Sequence, residues 1–165
     1  MLGLIKNEIS KSNLHALINN AAEQIVKPIT QVSLHDWESV LQVNLLAPFF
    51  WTQYFLPELE LSRGSILNIS SIHAQLTKKN FSVYAASKAA LSSLTRIMSI
   101  EIGNKVRVNA IEPAAISTNM LESGFKNKSE AREKLDKYHP VGKIGTPEEV
   151  AAVAIFVTSS ECNFL

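Results

Sequence analysis

Apolar positions along this chain cluster in two ways. Short continuous runs stand at residues 14–18 (LHALI), 64–69 (GSILNI) and 106–111 (VRVNAI). Each is the length of a buried strand, and the first breaks off at Asn19-Asn20, a turn signal. Longer stretches with helical spacing lie between and after them. Ser33 opens one, with Asp36 in the N3 place of an approximate capping box. Pro48 is expected to bend that helix and Pro57 to lie near its end. Residues 81–103 form a second helix, rich in alanine and leucine, with Gly103 as its C-cap. Thr146-Pro147-Glu148-Glu149 opens the last one with a threonine cap, a proline at N1 and a glutamate at N3. Residues 120–138 are polar and predict one or two short, mobile helices.

Strand, helix, strand, helix, strand, helix is the pattern of parallel βαβ units, and strands apolar on both faces fit a sheet covered by helices on both sides. The fold class is therefore an open α/β sheet in one domain over residues 1–165. Ligands of such sheets bind at the C-terminal ends of the strands. Three polar clusters are placed there: Asn19-Asn20, Ser70-Ser71 and residues 112–118.

Composition narrows the function without naming it. The 165 residues are 46% hydrophobic and 19% charged, with a net charge of +1. With no basic run, nucleic acid is not an expected partner. The apolar stretch 40–59 is interrupted by Gln42, Asn44, Gln53 and two prolines, so it reads as a buried helix and no membrane span is expected. The lone cysteine, Cys162, and an N-terminus unlike a secretory signal point to a cytoplasmic protein.

The chemistry concentrates in VYAASKAAL, residues 83–91. Tyr84 and Lys88 are four apart and share a helix face. A free phenol titrates near pH 10, and a neighbouring cation favours its ionised form. A phenol tuned toward neutrality gives a proton to a carbonyl oxygen or takes one from an alcohol, a transfer worth roughly 10²–10⁴ in rate. The alanines and serines around the pair leave room for a ligand.

Five further segments, in order, give the chain a resemblance to the short-chain dehydrogenase/reductase family. Asn19-Asn20-Ala21-Ala22 resembles the family's Asn-Asn-Ala-Gly turn after its fourth strand. Val43-Asn44-Leu45 resembles the segment with the family's helix asparagine. Ile69-Ser70-Ser71 resembles the end of the fifth strand, thirteen positions before Tyr84 at its second serine. Residues 106–120 resemble the sixth strand with its Pro-Gly-x-x-x-Thr loop, and residues 140–150 the lead into the last helix. The resemblance implies a partial Rossmann-like fold and an NAD(P)-dependent oxidoreductase acting on a ketone or secondary alcohol, of 3-oxoacyl or sugar type. It implies Asn44, Ser71, Tyr84 and Lys88 as the catalytic set: Tyr84 as acid or base, Lys88 lowering its pKa, Ser71 bonding the substrate oxygen, Asn44 opposite Lys88 holding a water. Asn20, Ala21, Tyr84, Lys88, Ile116 and Thr118 would meet NAD or NADP. Ser71, His73 and Tyr84 would meet the substrate, although a loop histidine is more often merely solvated. No metal is expected. The resemblance also implies a homo-oligomer through the helices containing Asn44 and Tyr84, with Phe49, Phe50 and Trp51 buried in it.

The pattern breaks in three places. Ala22 and Ala114 stand where the family has glycine, and either is strained if its backbone needs a positive φ. None of the six glycines forms the phosphate-cradling loop of dinucleotide sites. The family pattern thus predicts truncation at both ends, with three strands and two helices missing before the fourth strand and one strand after the last helix. Residues that select NAD or NADP would be among them. The alternative function is an inactive remnant or an association module. The segment after Thr118 would form a substrate lid carrying Lys126, Lys128, Glu130, Arg132, Glu133, Lys134 and Lys137.

Overall fold

A computed structural model of the chain describes residues 8–9, 13–125 and 129–165. Lys126 and Lys128 of the expected lid lie outside them. The described elements run β1 (Ala16–Asn19), α1 (Leu34–Leu41), α2 (Ala47–Ser62), β2 (Ser65–Ile69), α3 (Ser82–Ile102), β3 (Arg107–Ile111), α4 (Asn119–Ser123), α5 (Ser129–Lys137) and α6 (Pro147–Thr158). The three strands are parallel, in the order β1-β2-β3. The expected open α/β sheet is what forms.

The register puts Leu17, Ile66 and Val108 in one row and Ile18, Leu67 and Asn109 in the next. Successive rows point to opposite faces. On one face Ile66 and Val108 pack with Phe55 and Leu59 of α2 and Met98 of α3. On the other, Leu67 packs with Ala154 and Val157 of α6. Leu59, Ile66 and Leu67 are wholly buried, each worth roughly 1.5–3 kcal/mol of apolar transfer. Polar side chains continue the first face: Asn19 Nδ2 donates to Asn68 Oδ1 at 2.8 Å, and Asn68 Nδ2 donates to Thr95 Oγ1 at 2.8 Å. This bonding draws Asn19 into β1, where the sequence pattern placed the turn.

The helix starts follow their caps. Ser33 and Asp36 form a complete capping box, and Lys27 Nζ pairs with Asp36 at 2.7 Å. Thr146 and Glu149 form a second box at the start of α6. Pro57 lies near the end of its helix as expected, and Pro48 behaves otherwise. α2 continues through Pro57 to Ser62. Pro48 sits buried in the first turn of α2, and the departure from α geometry precedes it, as a π turn over Gln42–Leu46. Proline has no N–H to give the Asn44 carbonyl four residues back, so the helix widens there.

Gly64 turns the chain from α2 into β2, its N–H donating to the Leu59 carbonyl at 2.8 Å. A Cβ there would stand 2.7 Å from the His15 carbonyl oxygen and 3.0 Å from Leu59 Cδ2. We expect Gly64→Ala to destabilise the chain by about 1–3 kcal/mol, read as a lower urea midpoint at unchanged slope.

Candidate active site

The three loops beyond the C-terminal ends of the strands are tied to one another. Lys27 N donates to the Asn80 carbonyl at 3.1 Å, joining the loop after β1 to the loop after β2. Ser70 N donates to the Ile111 carbonyl and Ile72 N to that of Pro113, joining the β2 loop to β3. The expected convergence of the polar clusters is therefore present.

Within it, Tyr84 and Lys88 lie on the buried face of α3, 8% and 2% exposed. Lys88 Nζ stands 5.8 Å from the Tyr84 ring centroid and donates to the Ile69 carbonyl at 2.7 Å. The Ser71 hydroxyl lies near enough to the Tyr84 phenol to favour its ionised form. Ser71 also caps a short 3-10 turn, its Oγ accepting the His73 N–H at 3.1 Å. Ser70 is structural: its Oγ donates to the Lys88 carbonyl at 3.1 Å and lies 2.7 Å from Ser92 Oγ, which donates to Glu112. Ser71, Tyr84 and Lys88 are thus brought together.

Asn44 is wholly buried in the π turn. Its Oδ1 accepts the Glu23 N–H at 2.8 Å, and its Nδ2 donates to the Glu23 carbonyl and to Ser87 Oγ, both at 2.9 Å. Ser87 Oγ donates in turn to the Tyr84 carbonyl at 2.8 Å. The side chain staples the loop after β1 to α3, at the residue before Lys88. The partners Glu23, Ser87 and the Ile69 carbonyl escaped the sequence reading. Ser87, three residues past Tyr84, carried a signal, because a mid-helix serine commonly bonds back to its own helix.

Asn20 and Ala21 are exposed at the end of β1. Ile116 is half-buried and bridges Gly145, while exposed Thr118 caps α4 by accepting the Leu121 N–H at 3.3 Å. Neither Ala22 nor Ala114 has a positive φ, so the missing glycines cost no backbone strain. Of the expected lid, α4 and α5 are joined through Arg132, which pairs with Glu122 at 3.1 Å and Asp136 at 3.2 Å. A cleft of about 550 Å³ between Pro57, Arg63 and Lys105 lies at the opposite end of the sheet and holds none of these groups.

The family model described as enoyl-(acyl carrier protein) reductase matches residues 5–165. The chain belongs to the short-chain dehydrogenase/reductase family. It is 34% identical over 152 residues to 3beta-hydroxysteroid dehydrogenase 1 of Eggerthella lenta, a match covering 90% of this chain and 58% of the relative. It is 36% identical over 154 residues to the 3-oxoacyl-[acyl-carrier-protein] reductase of Thermotoga maritima, covering 92% and 61%. The chain therefore spans about three-fifths of these relatives. The solved structure of ElxO with NADP bound superposes with a TM-score of 0.89 at 26% identity, covering 99% of this chain and 67% of that one. No described helix is long and apolar enough to cross a membrane.

The residues of this short-chain dehydrogenase/reductase fit the nicotinamide-ribose side of a dinucleotide. An ammonium has three N–H donors, and Lys88 spends one, on Ile69, among the described residues. Two donors in a nearly closed site are suited to a pair of ribose hydroxyls.

The expectation that Lys88 lowers the Tyr84 pKa meets an opposing effect, burial. Burial raises the phenol above its usual 10.0, and the Ser71 hydrogen bond offsets this only in part. Burial also brings Lys88 down from 10.5 to about 8. Folding thus disfavours the ammonium, a cost that is full below pH 8 and vanishes as pH rises through 10.5, where the unfolded lysine also loses its proton. The shift corresponds to about 3 kcal/mol, reduced by about 1 kcal/mol for the Ile69 carbonyl left without its donor. We expect Lys88→Met to stabilise the chain by about 2 kcal/mol at pH 7, with the gain fading between pH 8 and 10.5 in urea titrations across that range.

Proposed function

We propose that this chain carries the catalytic face of an NAD(P)-dependent oxidoreductase that interconverts a ketone and a secondary alcohol. The observation that carries the reading is a buried lysine with two unspent donors beside two neighbouring hydroxyls, those of Ser71 and Tyr84. The ketone oxygen accepts hydrogen bonds from both hydroxyls, which stabilise the negative charge growing on it. A nicotinamide, when bound, supplies the hydride to the carbonyl carbon. Tyr84 then gives its phenolic proton to the alkoxide. Its raised pKa keeps that proton in place at neutral pH, which suits the reductive direction. Lys88, Asn20 and Ala21 hold the ribose, Ile116 and Thr118 the amide and phosphate side, and His73 meets the substrate. Asn44 acts as a positioning residue that fixes α3 against the β1 loop. The names of the relatives, a reductase of 3-oxoacyl groups and a hydroxysteroid dehydrogenase, agree with carbonyl chemistry.

Thermal-shift titration of the 165-residue chain with NADPH and NADH tests this. We expect a saturable rise, equivalent to about 2.7 kcal/mol at a hundredfold excess over Kd, that is lost in a Tyr84→Phe/Lys88→Ala double variant. A melting transition deaf to millimolar amounts of both cofactors would overturn the reading in favour of an inactive or purely associating chain.

A second copy is the partner we propose for the outer face of the π turn, α2 and α3. Leu46, Phe49, Phe50 and Trp51 are all more than a third exposed there, and Ile97 is 50% exposed on α3. Contiguous apolar surface of this kind marks an interface. We expect the chain to sediment as a dimer or larger, and Phe50→Asp to sediment as a monomer.

A further inference from the structure

α1, α4 and α6 each open on a hydroxyl side chain that accepts one of their first N–H groups. α3, which carries Tyr84 and Lys88, does not. Phe81 stands at its N-cap, and no side chain caps it. A first turn without a cap frays. Lys88 lies one turn further in and is held by its bond to the Ile69 carbonyl. Tyr84 is the third residue of α3, inside that first turn.

The turn is held from outside instead. Asn80, two residues ahead of α3, has a φ of 70°. Arg63, also left-handed, closes α2, the ordinary place for such a residue. Asn80 stands at a helix start. Its conformation reverses the chain, and two contacts follow. The Asn80 carbonyl accepts the Lys27 N–H at 3.1 Å, and Lys27 is itself pinned through its ammonium to buried Asp36 at 2.7 Å. Phe81, the next residue, turns inward. Its ring is edge to face with that of Tyr84 at 6.1 Å and lies 4.8 Å from that of His73. The Phe81 carbonyl then accepts the Ala85 N–H at 2.8 Å, which closes the turn around Tyr84.

We infer that Asn80 is a positioning residue: its left-handed backbone, locked onto the Lys27 N–H, stands in for the missing cap and keeps the first turn of α3 wound, so that Tyr84 stays beside Ser71. What this means for the cofactor rests on the oxidoreductase reading above. Asparagine and glycine enter the left-handed region readily, whereas alanine, and still more valine, resist it. A residue that resists the turn displaces Tyr84 as well as weakening the fold. A turn with a merely structural role weakens the fold alone.

Three measurements on the whole chain separate the two. Proton NMR of the unaltered chain should show cross-relaxation between the Tyr84 and Phe81 rings. Its Lys27 amide should exchange slowly with solvent, and thermal-shift titration should give its NADPH affinity. Asn80→Gly should keep all three. Asn80→Ala should weaken the ring contact, speed Lys27 exchange about fivefold and lower NADPH affinity by a similar factor, and Asn80→Val should do so about tenfold or more. Asn80→Ala gives the reading if Asn80→Val fails to fold. A lower Tm in Asn80→Ala, with ring contact, Lys27 exchange and NADPH affinity all unchanged, would overturn the assignment and leave the oxidoreductase reading intact. Losses in Asn80→Gly equal to those in Asn80→Ala would overturn it too. If the unaltered chain shows no NADPH shift while the ring contact and the Lys27 amide still follow the residue at position 80, the oxidoreductase reading falls and the positioning of Tyr84 stands.

Discussion

The Lys88 ammonium, donating to the Ile69 carbonyl at the end of the central strand, fixes how α3 lies on the sheet. A charged group this deep is unfavourable unless bonded, so α3 has one rotation that keeps Nζ on that carbonyl. The same rotation directs Ser87 to Asn44, Thr95 to Asn68, and Ser92 to Ser70 and Glu112. Tyr84, one turn before Lys88, is delivered to Ser71 as a consequence. The hydroxyl pair is assembled where the docked helix meets the loop after β2.

The contact between α3 and β2 is correspondingly mixed. At its far end Met98 joins Ile66 and Val108 in an apolar core. Toward the site, serines, threonine and asparagines replace aliphatic side chains and bond one another. Small polar residues bring the helix close enough for these bonds, and a fully satisfied network specifies geometry more sharply than apolar packing. Such a network tolerates few gaps, since each orphaned partner carries its own desolvation cost. Asn44 illustrates the economy of the design: three hydrogen bonds hold the β1 loop, the widened helix turn and α3 together.

Elements whose cause is local were legible in the sequence. Ser33 with Asp36, and Thr146 with Glu149, cap helices through contacts three residues apart, and the structure has both boxes. The three strands and their parallel order follow from apolar runs, and the shared face of Tyr84 and Lys88 from helical spacing; the place of Ser71 beside them is what the family resemblance implied. What escaped is set by tertiary contacts. Asn19 joins β1 only because Asn68 stands opposite it. The turn around Asn44 widens because Pro48 lacks an N–H, a signal that read as a bend at the proline itself. The pKa directions were hidden for a similar reason: spacing shows that Tyr84 and Lys88 are neighbours but not that both are buried.

Those directions also assign a role to whatever binds. Lys88 holds its proton weakly and Tyr84 holds its own tightly, because both are buried. Hydroxyl oxygens that accept the two spare N–H groups of Lys88 stabilise the ammonium and move its pKa back up. A fuller positive charge 5.8 Å from the phenol ring then favours the phenolate. Burial alone leaves the pair mismatched, and hydroxyl oxygens on the two spare N–H groups of Lys88 would complete the electrostatics. The proton chemistry proposed for this face is therefore coupled to the contacts its lysine makes: acceptors that hold the ammonium also bring the tyrosine toward a working range.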